Sequence, residues 1–266
     1  ILLVRNMQND LVFVGLDIGG ANIKAVKLRY SSGKLVIDNA IRMYNPIWIN
    51  GPKSIISKLL EIRSMFNLEG GKYYSGVTMT AELSDVFETK KDGVQYVVNA
   101  VEDVLRDSLA NLYVTVDSEL ITASNALANP LSVAAANWAA SAWFLENYVS
   151  RVMGYNDLVF IDIGSTTTHI IPMISGKVRV RGKSDPEKLT VGELVYTGTL
   201  RTNVSSIVDK VPYKGYFARV SSERFALSGD VHLVLGFISS EDYTTETADG
   251  RDTSLKNSIA RLSRVP

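Results

Sequence analysis

Val12-Phe13-Val14-Gly15-Leu16-Asp17-Ile18-Gly19-Gly20-Ala21-Asn22 and Leu158-Val159-Phe160-Ile161-Asp162-Ile163-Gly164-Ser165-Thr166-Thr167 are two versions of one pattern. Each begins as an apolar run of the kind that forms a strand buried on both faces. Each then enters Asp-Ile-Gly and small polar residues. A second apolar strand follows in both copies, over residues 23–30 and 166–174, and each ends in a turn, at 31–34 and at Ser175-Gly176. A supersecondary unit repeated about 145 residues apart points to two duplicated lobes.

Outward from the repeat, residues 35–43 read as a third strand. Gly51-Pro52-Lys53-Ser54 reads as a helix start, with helical spacing over 55–66. Tyr73–Met79 is the next strand, 81–87 and 93–109 are helices, and 112–116 is a short strand. Residues 118–148 are rich in alanine and asparagine, and small residues there suit a hinge helix between lobes. Trp138 and Trp143 on it read as core. Residues 178–180 form a return strand, and 221–235 and 254–264 are helices around a polar loop.

Composition narrows the function classes. Hydrophobic residues make up 46% and charged residues 21%, as in soluble globular proteins. Lysine plus arginine equals aspartate plus glutamate at 28 each, so no net charge draws the chain to nucleic acid or an anionic membrane. The absence of cysteine excludes a disulfide scaffold, a thiolate metal site and a cysteine nucleophile, and fits a cytoplasmic protein. The apolar stretch 131–145 is too short, and too interrupted by Ser132, Asn137 and Ser141, to span a bilayer. Residues 1–10 do not read as a signal peptide, since Arg5, Asn6, Gln8, Asn9 and Asp10 follow a tiny apolar run. The chain opens on Ile1 and closes soon after a helix-like stretch, so it is expected to be part of a longer protein.

The two turns suit an anion. A glycine after a strand lets the backbone turn tightly and approach a ligand with no Cβ in the way. Successive exposed N–H groups make an anion-binding concavity. The hydroxyls of Ser165, Thr166, Thr167 and Thr168 add donors, and Lys24 adds a point charge. Asp17 and Asp162 would repel a bare phosphate, but make sense with Mg²⁺ between them and its oxygens. A pair of ordinary hairpins with aspartate-capped turns is the alternative. The glycine spacing of 15–20 fits neither a dinucleotide fingerprint nor a Walker loop.

The paired hairpins resemble the first and second phosphate motifs of the actin, sugar-kinase and heat-shock-chaperone superfamily. The resemblance implies an α/β chain of two ribonuclease-H-like lobes, with mixed sheets flanked by helices. The lobes would divide as 11–128 and 129–266. It places Asp17, Gly19, Gly20 and Lys24 in the first phosphate site, with Asn22 and Thr80 beside them, and Asp162, Gly164, Ser165, Thr166 and Thr167 in the second. The superfamily's late Gly-Gly adenosine motif is not evident, which leaves ATP binding open.

Residues 76–90, Ala135-Ala136-Asn137-Trp138, residues 192–198, Asp230-Val231-His232 and Thr247-Ala248-Asp249-Gly250-Arg251 resemble a narrower family in the hydantoinase/oxoprolinase-like branch, the archaeal methanofuran-biosynthesis synthases. This resemblance implies a condensation. An aminomethylfuran-methyl diphosphate would lose diphosphate to the phenol oxygen of γ-glutamyltyramine, with Mg²⁺ as cofactor. The partner would be a small phosphorylated molecule, without nucleic acid or membrane, and a homodimer is compatible with it.

Candidates for the remaining roles follow from residue type. Glu82 and Asp85 stand where a strand gives way to a helix; either could take the phenol proton or help hold Mg²⁺, or simply complement the helix dipole. His232 is one of two histidines and a candidate base, or a satisfied helix residue. His169 follows the second turn, and strand alternation can point it inward. Arg251 could clamp a carboxylate or the diphosphate bidentately, beside Asp249 in a polar turn. Arg201 and Tyr196 are candidates for the substrate pocket. Lys177, Arg179 and Arg181 alternate with valines as a solvated strand face. Two other readings stay open: an ATP-dependent kinase or hydantoinase-like hydrolase of the same fold, and a non-catalytic phosphate-ligand sensor or actin-like assembly protein.

Overall fold

The computed structural model describes residues 11–266; the signal-peptide reading of residues 1–10 lies outside them. The described chain divides into two compact units, one of residues 11–157 and 173–178, the other of residues 158–172 and 179–266. The sequence partition at 128/129 differs from this division, because the helix of residues 137–144 packs on strands of the first unit.

In the first unit, β1 (Leu11–Ile18), β2 (Asn22–Ser31) and β3 (Lys34–Tyr44) form an antiparallel meander. Helices α1 (Ile47–Asn50) and α2 (Lys53–Met65) lead to β4 (Tyr73–Met79), which pairs in parallel with the free side of β1. Helix α3 (Lys90–Val104) crosses to β5 (Ala110–Val114), and β6 (Leu120–Thr122) closes the edge. The strand order is β3-β2-β1-β4-β5-β6. Val14, Leu16 and Ile18 of β1 pack with Ile55, Leu59 and Ile62 of α2 and Val94, Val97, Val98 and Val101 of α3 in one buried cluster. The i, i+3/i+4 and i, i+7 spacing of the helix residues brings them to one face, and that face forms the core.

Two expected helices are corrected. Residues 81–87 make only a three-residue 3-10 turn, Ala81–Leu83, because Ser84 is extended and the next helix is nucleated by the Thr89–Asp92 capping box. The stretch 118–148 is broken into β6, α4 (Ala123–Ala128), a 3-10 turn at Pro130–Ser132, α5 (Asn137–Phe144) and a π-helical turn at Leu145–Ser150. Ala135 at φ 51° stops a helix from running through it. Trp138 is buried but Trp143 is half exposed, since five residues of helix separate them by about 140° around the axis.

In the second unit, β7 (Leu158–Ile163) pairs with β8 (Thr168–Ile174), and β10 (Leu194–Val195) lies on the other side of β8. The end of β8 and β9 (Lys177–Val178) form a hairpin grouped with the first unit, where Glu146 accepts from the Val178 N–H at 2.8 Å and pairs with Lys177 at 3.0 Å. Helix α6 (Asp185–Val191) precedes β10. Strands β11 (Lys210–Tyr213) and β12 (Tyr216–Arg219) form a separate hairpin, and α7 (Ser228–Val234) and α8 (Leu255–Leu262) pack together at the end. Both helices are shorter than the sequence predicts. The expectation that β7 is buried on both faces is corrected: Val159, Ile161 and Ile163 are 55–61% exposed. Its counterpart β1 lies between β2 and β4, whereas β7 has β8 on one side only among the described residues.

Candidate functional site

The two Asp-Ile-Gly turns close in the same way. The Gly19 N–H donates to the Asn22 carbonyl at 3.0 Å, and the Gly164 N–H donates to the Thr167 carbonyl at 2.8 Å. A Cβ at Gly19 would meet the Asn22 oxygen at 2.8 Å, so this turn needs a glycine for space.

Within the first unit, Asp17 pairs with Lys24 at 3.0 Å and accepts from the Thr78 hydroxyl at 3.3 Å. Asn22 is engaged by Arg42 at 3.1 Å. The Gly20 and Ala21 carbonyls accept from Ile47 and Asn45, and the Thr80 N–H donates to Ile18, so the turn is fixed by two neighbouring segments. Glu82 faces inward, 1% exposed, and accepts from the Ala135 N–H at 2.7 Å. That contact, made by Oε1, holds the left-handed Ala135. Asp85 is exposed, and among the described residues it accepts from the Ser84 hydroxyl, at 3.5 Å.

Within the second unit, the turn is braced by the loop of residues 198–201, which follows the 192–198 stretch and includes Arg201. The Thr199 N–H donates to the Gly164 carbonyl at 3.0 Å, and the Leu200 and Arg201 N–H groups donate to Ser165 at 3.1 and 3.0 Å. Gly198 lies flat on the turn: a Cβ there would come within 2.5 Å of the Thr166 nitrogen. The loop in turn rests on α7. Ser228 donates to the Gly198 carbonyl at 2.9 Å, the Gly229 N–H donates to Leu200 at 3.1 Å, and His232 Nδ1 meets the Thr199 carbonyl at 2.8 Å. A carbonyl only accepts, so Nδ1 carries the proton, and neutral His232 keeps a lone pair on Nε2. The structure thus joins Gly164, Ser165, Thr199, Arg201 and His232 through hydrogen bonds to backbone carbonyls, with Thr166 packed against Gly198. The Ser165 hydroxyl is buried without a hydrogen-bond partner, which suits a donor waiting for an anion.

Behind this turn lies a buried polar group. His169, seven residues after Asp162 as Lys24 is after Asp17, is buried beside Lys188. Burial and then the Lys188 charge push the imidazole below its ordinary pKa, against the pull of Asp162 and Asp185. Lys188 is fully buried, 3.8 Å from Glu193, and burial lowers its pKa too. Glu193 accepts from the Arg181 and Gly182 N–H groups, which fixes the loop before α6.

Asp249 and Arg251 lie in an ion network rather than reaching outward. Arg251 forks onto Asp249, with contacts at 2.8 and 2.5 Å, and bonds Asn257; Asp249 also pairs with Arg261 at 3.1 Å and Arg264 at 3.3 Å. Burial works to raise the Asp249 pKa, but bonds from Arg251 and Arg261 outweigh it and hold the carboxyl well below its usual range. Arg261 and Asp230 form a fully buried pair at 2.7 Å, and Asp230 also accepts from the Leu227 N–H. This pair pins the start of α7, and with it His232.

For Mg²⁺, the two aspartates differ. Asp162 is half-buried and forms no hydrogen bond or salt bridge among the described residues, so its carboxylate fits a hydrated cation. Asp17 already carries Lys24, whose charge disfavours a cation beside it. No group of three or more His, Asp or Glu side chains that could hold a metal exists among the described residues. Mg²⁺ usually keeps several waters and binds through one or two carboxylates plus substrate phosphates, a donor set with which a single carboxylate is compatible.

Comparison with known proteins places the chain. Residues 74–263 match the hydantoinase/oxoprolinase family model. A (4-{4-[2-(gamma-L-glutamylamino)ethyl]phenoxymethyl}furan-2-yl)methanamine synthase of Methanocaldococcus jannaschii is 35% identical over 96% of this chain and 71% of its own. The protein of the same name from Methanococcus vannielii is 44% identical over 44% of this chain and 52% of its own, so that match spans about half of the relative. A nucleotide-free acetone carboxylase structure covers 97% of this chain and 59% of its own at 8% identity, with a TM-score of 0.55, which shows the fold alone. The expected fold class holds: α/β, two ribonuclease-H-like halves of the actin-like ATPase type. No helix among the described residues is long and apolar enough to cross a membrane. The chain belongs to the hydantoinase/oxoprolinase family, in the branch that holds the methanofuran-biosynthesis synthases.

Proposed function

We propose that the protein is a Mg²⁺-dependent transferase that condenses an aminomethylfuran-methyl diphosphate with the phenol of γ-glutamyltyramine, making an aryl ether and diphosphate in methanofuran biosynthesis. The observation that carries this is the 35% identity across nearly the whole chain to a synthase whose product joins a phenoxymethyl group to a furan. The second turn supports it. Ser165 offers an unpartnered buried hydroxyl, Gly164 a turn without a Cβ, and Asp162 an unpaired carboxylate.

In this reading the Ser165, Thr166 and Thr167 hydroxyls and nearby N–H groups bind the diphosphate. Preorganised donors stabilise the charge that develops as the C–O bond to diphosphate breaks. Bound Mg²⁺, held through Asp162, supplies further charge neutralisation. The furan oxygen shares the positive charge left on the methylene, and the phenol oxygen closes the new bond while its proton passes to a base. The first turn, with Lys24 on Asp17, is a second anion cradle of the same construction. The protein would act in the cytoplasm on small molecules.

Mass spectrometry of purified protein with Mg²⁺, both substrates and no ATP tests the proposal. Ether and diphosphate in equal amounts are expected. Folded, full-length protein that yields no ether, or that only consumes ATP, would overturn it.

A further inference from the structure

A cavity of about 520 Å³ opens beside α7 in the second unit. Its walls are Val204, Ile207, Val208, Val211, Val231 and Leu262, completed by Val265 and Pro266, and its only polar side chains are Ser228 and His232. No charged side chain reaches it. Ser228 is spent, donating to the Gly198 carbonyl and accepting from the Thr202 N–H. His232 donates through Nδ1 to Thr199, so in the neutral ring the Nε2 lone pair is the side-chain acceptor left without a hydrogen bond among the described lining residues. The volume lies in the range of small-molecule sites, about 300–1,000 Å³. Ile207 and Val208, 50% and 38% exposed, form the rim.

We infer that this cavity receives the aromatic ring of the phenolic acceptor and that His232 Nε2 takes its proton. The inference rests on the proposed reaction and deepens it. An aliphatic chamber with one hydrogen-bond acceptor matches an arene with one hydroxyl, whereas a phosphate or carboxylate would find no partner there. The chamber also lies close to the diphosphate turn in bonding terms. His232 holds Thr199, and the Thr199 N–H holds the Gly164 carbonyl. In the reaction the phenolic O–H bond breaks and its proton goes to Nε2. The freed oxygen pair forms the C–O bond to the furan methylene, whose bond to diphosphate breaks with the electron pair leaving on diphosphate. The polar remainder of the acceptor stays outside the rim in water.

Two variants fill the chamber from its exposed rim, Val208→Trp and, should that fail to fold, Ile207→Trp. N-acetyltyramine and Mg²⁺-pyrophosphate are titrated calorimetrically into each. The plug is expected to weaken N-acetyltyramine binding about tenfold or more while pyrophosphate stays within about twofold. Equal N-acetyltyramine affinity in plugged and wild-type protein, or no binding to wild type at millimolar concentration, overturns the pocket. His232→Gln keeps a donor for Thr199 and loses the base. Ether formation from an ordinary phenol should fall about 10²–10⁴-fold and recover with a ring-fluorinated phenol already ionised at the assay pH. An equal loss with both phenols overturns the base. A wild-type protein that makes no ether yet binds N-acetyltyramine through the Val208 rim sinks the reaction and the base but leaves the pocket. Ether made with unchanged phenol KM in the plugged variants sinks the pocket but leaves the reaction.

Discussion

Gly198→Ala tests the architecture of the second turn without touching any residue of the turn itself. The added Cβ would stand 2.5 Å from the Thr166 nitrogen and 2.6 Å from both the carbonyl carbon and the oxygen of Ser165. All three atoms are backbone, so no side chain can swing aside and relief requires moving either the loop or the turn. Overpacking of this kind costs about 1–3 kcal/mol. Taking about 2 kcal/mol and assigning it to displacement of the turn, Mg²⁺-pyrophosphate affinity should fall about thirtyfold. The melting temperature should drop by about 4–8 °C. Titration calorimetry and a thermal scan read both. Gly76→Ala, in β4 and outside both turns, is the control, since a Cβ there meets nothing within 4 Å. Affinity within about twofold of wild type for Gly198→Ala, with an unchanged melting temperature, would refute the claim that this loop clamps the phosphate turn.

Other expectations concern single groups. Ser165→Ala should weaken pyrophosphate binding about tenfold, yet leave thermal stability unchanged or slightly higher, because the hydroxyl is buried without a partner. Asp162→Ala should cripple Mg²⁺-dependent turnover with the fold intact; near-wild-type turnover and metal dependence at saturating substrate would remove Asp162 from the site. Arg261→Met should cost about 3–5 kcal/mol in urea unfolding, because it strands a fully buried Asp230 carboxylate. Asp249 and Asp252 both have folded pKa values below the ordinary ~3.9, Asp252 down to about 2 through bonds from Ser254 and Asn257. A depressed carboxyl pKa stabilises above the unfolded value and loses that contribution as pH falls. The melting temperature should therefore decline as pH drops from about 4 toward 2, and less steeply in Asp249→Asn and Asp252→Asn.

The turns were legible because their signal is local and doubled. An apolar run, an aspartate and a glycine at fixed spacing dictate strand, polar end and close approach, and Gly19 and Gly164 close in the same way. The six-stranded sheet was mostly legible for the same reason, strand by strand. What failed were features decided elsewhere in the chain. Glu82 reads as an acid at a helix start, a candidate base or a complement to the helix dipole, yet its carboxylate turns inward to meet Ala135, 53 residues later. Apolar spacing over 118–148 looks helical, and only the left-handed Ala135 and the Asn129-Pro130 corner show why it breaks. The roles of Thr199 and Ser228 were invisible, since their partners Gly164 and Gly198 lie 35 and 30 residues away and no periodicity links them. His232 stood out as one of two histidines, as a candidate base and as part of the Asp230-Val231-His232 stretch. That it donates to a carbonyl, which sets its tautomer, is a tertiary fact.

The Arg261–Asp230 pair also has a consequence in time. The two residues lie 31 positions apart, so a nascent chain exposes the α7 carboxylate well before the guanidinium that neutralises it. At synthesis rates of about 5–20 residues per second that delay is on the order of 2–6 s. During it α7 has no buried counterion, and the imidazole it carries has no fixed seat. The second phosphate turn can form early, since its strands are adjacent in the chain, but its brace arrives late. Chains cut before α8 would accumulate a product whose Asp162–Gly164 turn is shaped and whose His232 is adrift, a state that limited proteolysis around residues 227–235 would reveal.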